Sequence, residues 1–90
     1  MKEAKVIVPI KRGCGILIKR DNIVVAVIKQ TSIDITDQVK TALMDDYDTN
    51  EIFLTSFLKS TTLFNHFNLE VTFDGNDYTE RFTLSYIWVY

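Results

Sequence analysis

Cysteine and histidine are nearly absent from this chain, with Cys14 and His66 the only examples among 90 residues. One cysteine cannot form an intrachain disulfide, so a disulfide-stabilised secreted mini-protein is excluded. One cysteine and one histidine also cannot supply the ligand set of a structural zinc site. We therefore expect an intracellular protein that holds neither a metal nor a cofactor.

Glycine and proline are scarce as well, with three glycines and one proline. The glycines match neither Gly-x-x-x-x-Gly-Lys-Ser/Thr nor Gly-x-Gly-x-x-Gly, the two common phosphate-binding patterns. No linker, repeat or low-complexity tract divides the chain, and a chain of this length can bury one core. The sequence therefore predicts a single domain over residues 1–90.

Long apolar runs are missing too. The longest, Ile23 to Ile28, is far shorter than the roughly 20 residues that span a bilayer. The segment from Met1 to Lys5 lacks the apolar run of a signal peptide. Both absences favour a cytoplasmic protein.

Apolar residues, by contrast, make up 47% of the chain, and in its first third many are Val or Ile. These β-branched residues favour strands over 4–10, 15–19 and 23–30. Asp21-Asn22 predicts a two-residue hairpin turn between the last two. Proline at position 9 predicts an edge position for the first strand, and the non-alternating run 23–28 predicts a central strand buried on both faces.

Helical spacing follows in the middle of the chain. Apolar residues from Val39 to Tyr47 recur at intervals of three and four, and Thr36 can cap the helix that they indicate. A second helix is predicted over residues 50–64, with Thr49 as its cap and an apolar stripe that includes Phe53 and Phe57.

The last third returns to strand patterns. A turn at Gly75-Asn76 would place Glu70 opposite Arg81 and Leu69 opposite Phe82. The same register pairs Phe67 with Leu84. The whole predicts an α+β fold, a largely antiparallel five-stranded sheet in the order βββ-αα-ββ with two helices packed on one face.

Alternating aromatic residues end the chain: Tyr86, Trp88 and Tyr90. Trp and Tyr anchor many protein interfaces because they bring large contact area with few rotatable bonds. They also pack in cores, where Trp is highly buried on average. Our hypothesis is that these three residues bind a partner protein, with core packing as the other reading.

Basic residues cluster near the N-terminus. Residues 1–30 carry seven Lys or Arg against two acids, whereas residues 31–90 carry three against ten. Lys11 and Arg12 precede the second predicted strand, and Lys19 and Arg20 end it, so these four could contact phosphates as a β-ribbon does. Such cations also protect sheet edges from aggregation.

Catalytic sets are not apparent. Cys14 lies in a basic, glycine-containing turn that would favour a thiolate, but a cysteine nucleophile needs a base, and His66 is the only imidazole. The spacing predicts no contact between them, so we expect Cys14 to be a small turn residue and the protein not to be an enzyme.

The sequence thus favours a small non-enzymatic module, an adaptor or inhibitor, that binds a partner protein or itself. The alternative is a nucleic-acid-binding protein that uses the basic hairpins. A homodimer is expected, because two helices cannot cover both faces of an apolar sheet. Codon-correlated composition, rich in Ile, Lys, Phe and Asn, indicates an AT-rich genome and suggests a phage or mobile element.

Overall fold

A computed structural model describes residues 3–58, 66–73 and 79–89, which form a five-stranded antiparallel sheet and one helix. The elements are β1 Cys14–Arg20, β2 Ile23–Ile28, α1 Thr36–Tyr47, β3 Ile52–Leu58, β4 His66–Phe73 and β5 Thr79–Trp88. The strand order is β2-β1-β5-β4-β3. The pairing of β1 with β5 joins the two ends of the chain at the centre of the sheet.

The predicted second helix is wrong: within residues 50–64, strand β3 occupies the part that the structure describes. Ile52 and Leu54 are buried on the inner face, as in an alternating strand. A bulge at Thr55 then shifts the alternation, so that Phe57 is the next residue to pack inward. The resulting spacing of two and then three imitates a helical repeat, which explains the error.

The predicted first strand, over residues 4–10, is not part of the sheet. It is an extended segment joined by one isolated bridge, between Ile7 and Asp34. Val6 and Val8 are buried, whereas Ile7 is exposed. The alternating burial of this segment therefore places two valines in the core beside the connection into α1.

Strand β2 was predicted to be central, and that too is wrong: it is an edge strand paired only with β1. Ile23, Val24 and Val27 are more than half exposed. A bulge at Val25 interrupts the strand's alternation, so its uniform apolar sequence does not reflect burial on two faces.

The predicted Asp21-Asn22 turn and the predicted register of the C-terminal hairpin are both confirmed. Asp21 and Asn22 have φ values of 50° and 68°, as a type I′ turn requires. In β4 and β5, Glu70 lies opposite Arg81, Leu69 opposite Phe82, and Phe67 opposite Leu84. The Gly75-Asn76 turn that was predicted to join them lies outside the described residues.

The first predicted helix is confirmed as α1, although Thr36 does not cap it. The amide of Thr36 donates to Asp34 Oδ1 at 3.0 Å. The Thr36 hydroxyl instead accepts from the Val6 amide at 2.9 Å. The helix buries Val39 and Leu43 against the sheet.

The sheet curves around this helix. Helix α1 contacts both β2 and β3, which are the opposite edges of the sheet. Five flat strands would set those edges about 19 Å apart, wider than a helix of about 10 Å diameter can bridge with close contacts. The inner face therefore forms a curved apolar wall that holds the core. Within the described residues, no helix has the length and apolar character needed to cross a membrane.

Candidate partner-binding groove

An open groove of about 370 Å³ lies at the end of the sheet where β1 begins and β5 finishes. Its lining residues are Lys11, Arg12, Cys14, Tyr86, Ile87 and Trp88. The two basic residues and two of the aromatic residues that the sequence assigned to alternative functions therefore lie in one place.

A tight turn positions the cations of the groove. The Cys14 amide donates to the Lys11 carbonyl at 3.0 Å, and Gly13 between them has a φ of 79°. A positive φ at the third position is the mark of a type II turn, which favours glycine there. The turn places Arg12 at an exposed corner beside the sheet.

The end of β5 is fastened to this turn. The Val89 amide donates to the Gly13 carbonyl at 3.1 Å. The side chain of Val89 covers Gly15 so closely that a Cβ on Gly15 would lie 2.7 Å from Val89 Cγ1. The backbone on both sides of Trp88 is therefore held by β1 and its preceding turn.

Tyr86 forms the inner wall of the groove. Its ring packs edge-on against Phe67, with centroids 5.9 Å apart, and its hydroxyl donates to the Pro9 carbonyl. Partial burial, with a smaller contribution from Cys14, raises the pKa of Tyr86 above its ordinary value. The phenol therefore stays protonated near neutral pH and keeps its hydrogen bond.

Trp88 lies on the outer rim, opposite Cys14 in the sheet. It is 76% exposed, which is unusual because Trp is highly buried on average. Tyr90, the third predicted partner-binding residue, lies outside the described residues.

The cations at the rim remain available for a ligand. Lys11 Nζ lies 4.8 Å from the centroid of the Tyr86 ring, a cation–π arrangement that holds the ammonium at the mouth of the groove. In the part of the chain that the structure describes, neither Lys11 nor Arg12 forms an ion pair.

The other two predicted nucleic-acid contacts are elsewhere. Lys19 and Arg20 end β1, and six residues of strand place them about 20 Å from Cys14. Arg20 is also engaged within the fold, 3.8 Å from Glu80 and stacked over the Tyr47 ring at 5.5 Å. The four cations therefore do not form one surface.

The thiol and the imidazole are not brought together. Cys14 lies opposite Trp88 and so shares the sheet face of Ile16, whereas His66 pairs with Ser85 on the opposite face. The described residues also contain no group of three or more His, Cys, Asp or Glu side chains that could hold a metal ion.

A second depression, of about 500 Å³, lies on the outward face of the sheet. Glu70 and Arg81 face each other there across β4 and β5, at 3.9 Å. Of its three charged lining residues, Glu70 and Arg81 already pair with each other and Asp21 is acidic, so it offers an acidic ligand less than the terminal groove does.

The terminal groove is therefore the strongest candidate site: an exposed indole on a hydrogen-bonded strand, a protonated phenol and two cations without ion pairs in the described residues. Compared with protein-family models, curated proteins and solved structures, the chain finds no match.

Proposed function

We propose that this protein is a non-enzymatic module that binds a partner protein through the terminal groove, acting by occupancy as an adaptor or inhibitor. The carrying observation is the 76% exposure of Trp88 on a rigid strand beside two cations. The backbone at Trp88 is already held by pairing with β1 and the turn before it, so binding costs little backbone entropy and the large area of the indole can contribute to affinity.

The chemistry of the groove favours an acidic segment that carries an apolar or aromatic side chain. Lys11 and Arg12 would bind carboxylates, and Arg can do so with two parallel hydrogen bonds. Trp88 and the exposed edge of Tyr86 would cover the apolar side chain. We place this interaction in the cytoplasm, where the free thiol of Cys14 would remain reduced.

A single-stranded nucleic acid is the second candidate, because bases stack on exposed indoles beside cations. At the groove only Lys11 and Arg12 could bind the phosphates of a nucleic acid, because Lys19 and Arg20 lie at the far end of β1. A long phosphate backbone would therefore meet few free cations here, which favours the protein partner.

Replacing Trp88 tests the proposal. The probe is a synthetic peptide that combines Asp and Glu with Phe and Leu, and its affinity is measured by isothermal titration calorimetry. Trp88→Ala should weaken binding by about 2 kcal/mol, roughly thirtyfold, as expected for an aromatic anchor.

Phe53→Ala is the matched control, because Phe53 is an exposed aromatic residue on the opposite edge strand. The Phe53→Ala variant should bind the peptide with the same affinity as the unchanged protein. Equal affinities for all three proteins, or tighter binding of a single-stranded oligonucleotide than of the peptide, would contradict the proposal.

A further inference from the structure

Strand β2 is an edge strand that lacks a blocking charge or proline, although it carries the bulge at Val25. Its six residues, IVVAVI, contain no charge and no proline. Natural sheets normally block such edges with Lys, Pro or a covering segment, because free strand edges pair with other chains. Val24 and Val27 are each 55% exposed, so the edge also presents apolar side chains.

The opposite edge of the same sheet is blocked. The Leu54 amide of β3 donates to Glu3 Oε1 at 3.0 Å, and the Leu54 carbonyl accepts from the Ala4 amide at 2.8 Å. On β2, by contrast, residues 23–28 have backbone hydrogen bonds only to β1 within the described residues. Helix α1 also contacts β2, and its Gln38 side chain donates to the Lys29 carbonyl beyond the strand's end.

The bulge at Val25 arranges the exposed side chains. Val24 lies opposite Lys19 and Val27 opposite Leu17, and these two β1 residues share the outward face. In a regular strand, residues three apart would point to opposite faces. The additional residue therefore brings both exposed valines to the same side of the sheet.

We propose that β2 is a dimerisation edge that pairs antiparallel with β2 of a second copy, about a twofold axis between Val25 and Ala26. This register sets Val24 of each copy beside the partner's Val27, with both pairs on the outward face. The strand is thus complementary to itself, as a twofold contact requires. The two sheets join into one continuous sheet, the mode of β-strand addition.

The charged residues at the two ends of β2 favour a second copy of this chain as the partner at the edge. Asp21 precedes β2 and Lys29 follows it, and both are exposed with no side-chain ion pair in the described part of the chain. Antiparallel pairing brings Asp21 of each copy close to the partner's Lys29, at both ends of the contact. Facing copies therefore attract at the two places where the strand is flanked by charge.

The outward face of the central strands is less suited to a dimer contact because it is polar. Strands β4 and β5 present Asn68, Glu70, Arg81 and Thr83 there. Apolar outward residues lie at both edges of the sheet, with Leu17 and the two valines at the β2 side and Phe53 and Leu58 on β3. Stacking of two whole faces would bury the polar centre between them, whereas pairing through the β2 edge leaves it exposed.

A charge in the edge tests the inference. Sedimentation velocity over a range of micromolar concentrations should show a reversible dimer for the unchanged protein. Val24→Lys should raise the dissociation constant more than about tenfold, because the lysine would lie against the partner's Val27. Leu58→Lys is the matched control, since Leu58 is 58% exposed at the end of the other edge strand, and it should leave the dimer intact.

Hydrogen exchange on the unchanged protein locates the contact even if a variant fails to fold. Peptides that cover residues 23–28 should exchange more slowly as the protein concentration rises. Lys29→Glu should weaken the dimer roughly tenfold by facing the partner's Asp21, and adding Asp21→Asn should restore much of the loss. A monomer at every concentration, or a dimer that survives Val24→Lys without protection of 23–28, would overturn the inference.

Discussion

Trp88 and Tyr86 are two residues apart on one strand, yet their surroundings differ completely. Tyr86 packs against Phe67 and hydrogen-bonds to Pro9, whereas Trp88 lies opposite Cys14, the first residue of β1, and is exposed. Strand alternation predicts that both share a face, but it cannot say where the core beneath that face ends. That limit depends on the length of the neighbouring strand, so the sequence left both core packing and partner binding open.

Gly15 lies in close contact with Val89, the residue that follows Trp88. Gly15→Ala would set a Cβ 2.7 Å from Val89 Cγ1 and 2.8 Å from the Ile28 carbonyl oxygen. We expect the free energy of unfolding to fall by about 1–3 kcal/mol, the usual cost of overpacking. Urea denaturation followed by circular dichroism measures it.

Val89→Ala supplies the internal comparison, since it removes the Cγ1 atom that the new Cβ would meet. In the double variant the loss should be smaller than the sum of the two single losses, because one of the two close contacts is gone. Strict additivity would show that Val89 does not lie over Gly15.

Element by element, the patterns that depend on near neighbours were predictable. The β4–β5 register followed from matched apolar and charged pairs, and the β1–β2 turn followed from two residues that tolerate positive φ. Strand β3 was not predictable, because its bulge at Thr55 produces a helix-like spacing. The edge position of β2 was not predictable either, because it follows from the long-range pairing of β1 with β5, which leaves β2 outside the centre of the sheet.

The N-terminal segment blocks β3 through Glu3, and this contact is sensitive to pH. A hydrogen bond from Lys40 Nζ to Glu3 Oε2, at 3.1 Å, and a second from the Leu54 amide to Oε1 hold the pKa of Glu3 below its ordinary value. A lowered folded-state pKa contributes stability above the ordinary glutamate pKa, and this is lost as the pH falls through the folded-state value.

Glu3→Gln should therefore reduce the free energy of unfolding at neutral pH, and the difference from the unchanged protein should shrink in acid. Chemical denaturation at a series of pH values measures both. The Thr36 hydroxyl and amide also lower the pKa of Asp34. Because Asp34 is present in both proteins, its contribution to the pH dependence of stability cancels in the comparison. A difference that is constant with pH, or equal for the exposed Glu51→Gln variant, would rule out this role for Glu3.

At the scale of the whole molecule, the fold places the basic residues of the first third of the chain in separate regions. Arg20 pairs with Glu80 inside the fold, whereas Lys11 and Arg12 stay at the rim without ion pairs in the described residues. The sequence predicted the candidate residues of the groove but not that the basic and aromatic residues lie side by side. Their proximity depends on the pairing of β1 with β5, which are far apart in the sequence. Local patterns carry no information about such a contact between distant parts of the chain.

Trp88 is the only tryptophan in the chain, so its fluorescence reports on the groove without any substitution. The unchanged protein would be titrated with the tryptophan-free acidic–aromatic peptide while the emission spectrum is recorded. If the groove binds such a segment, the emission of the exposed indole should move to shorter wavelength and saturate, and added salt should weaken the binding. An emission spectrum that does not change while calorimetry detects peptide binding would place the binding site elsewhere and contradict the central claim.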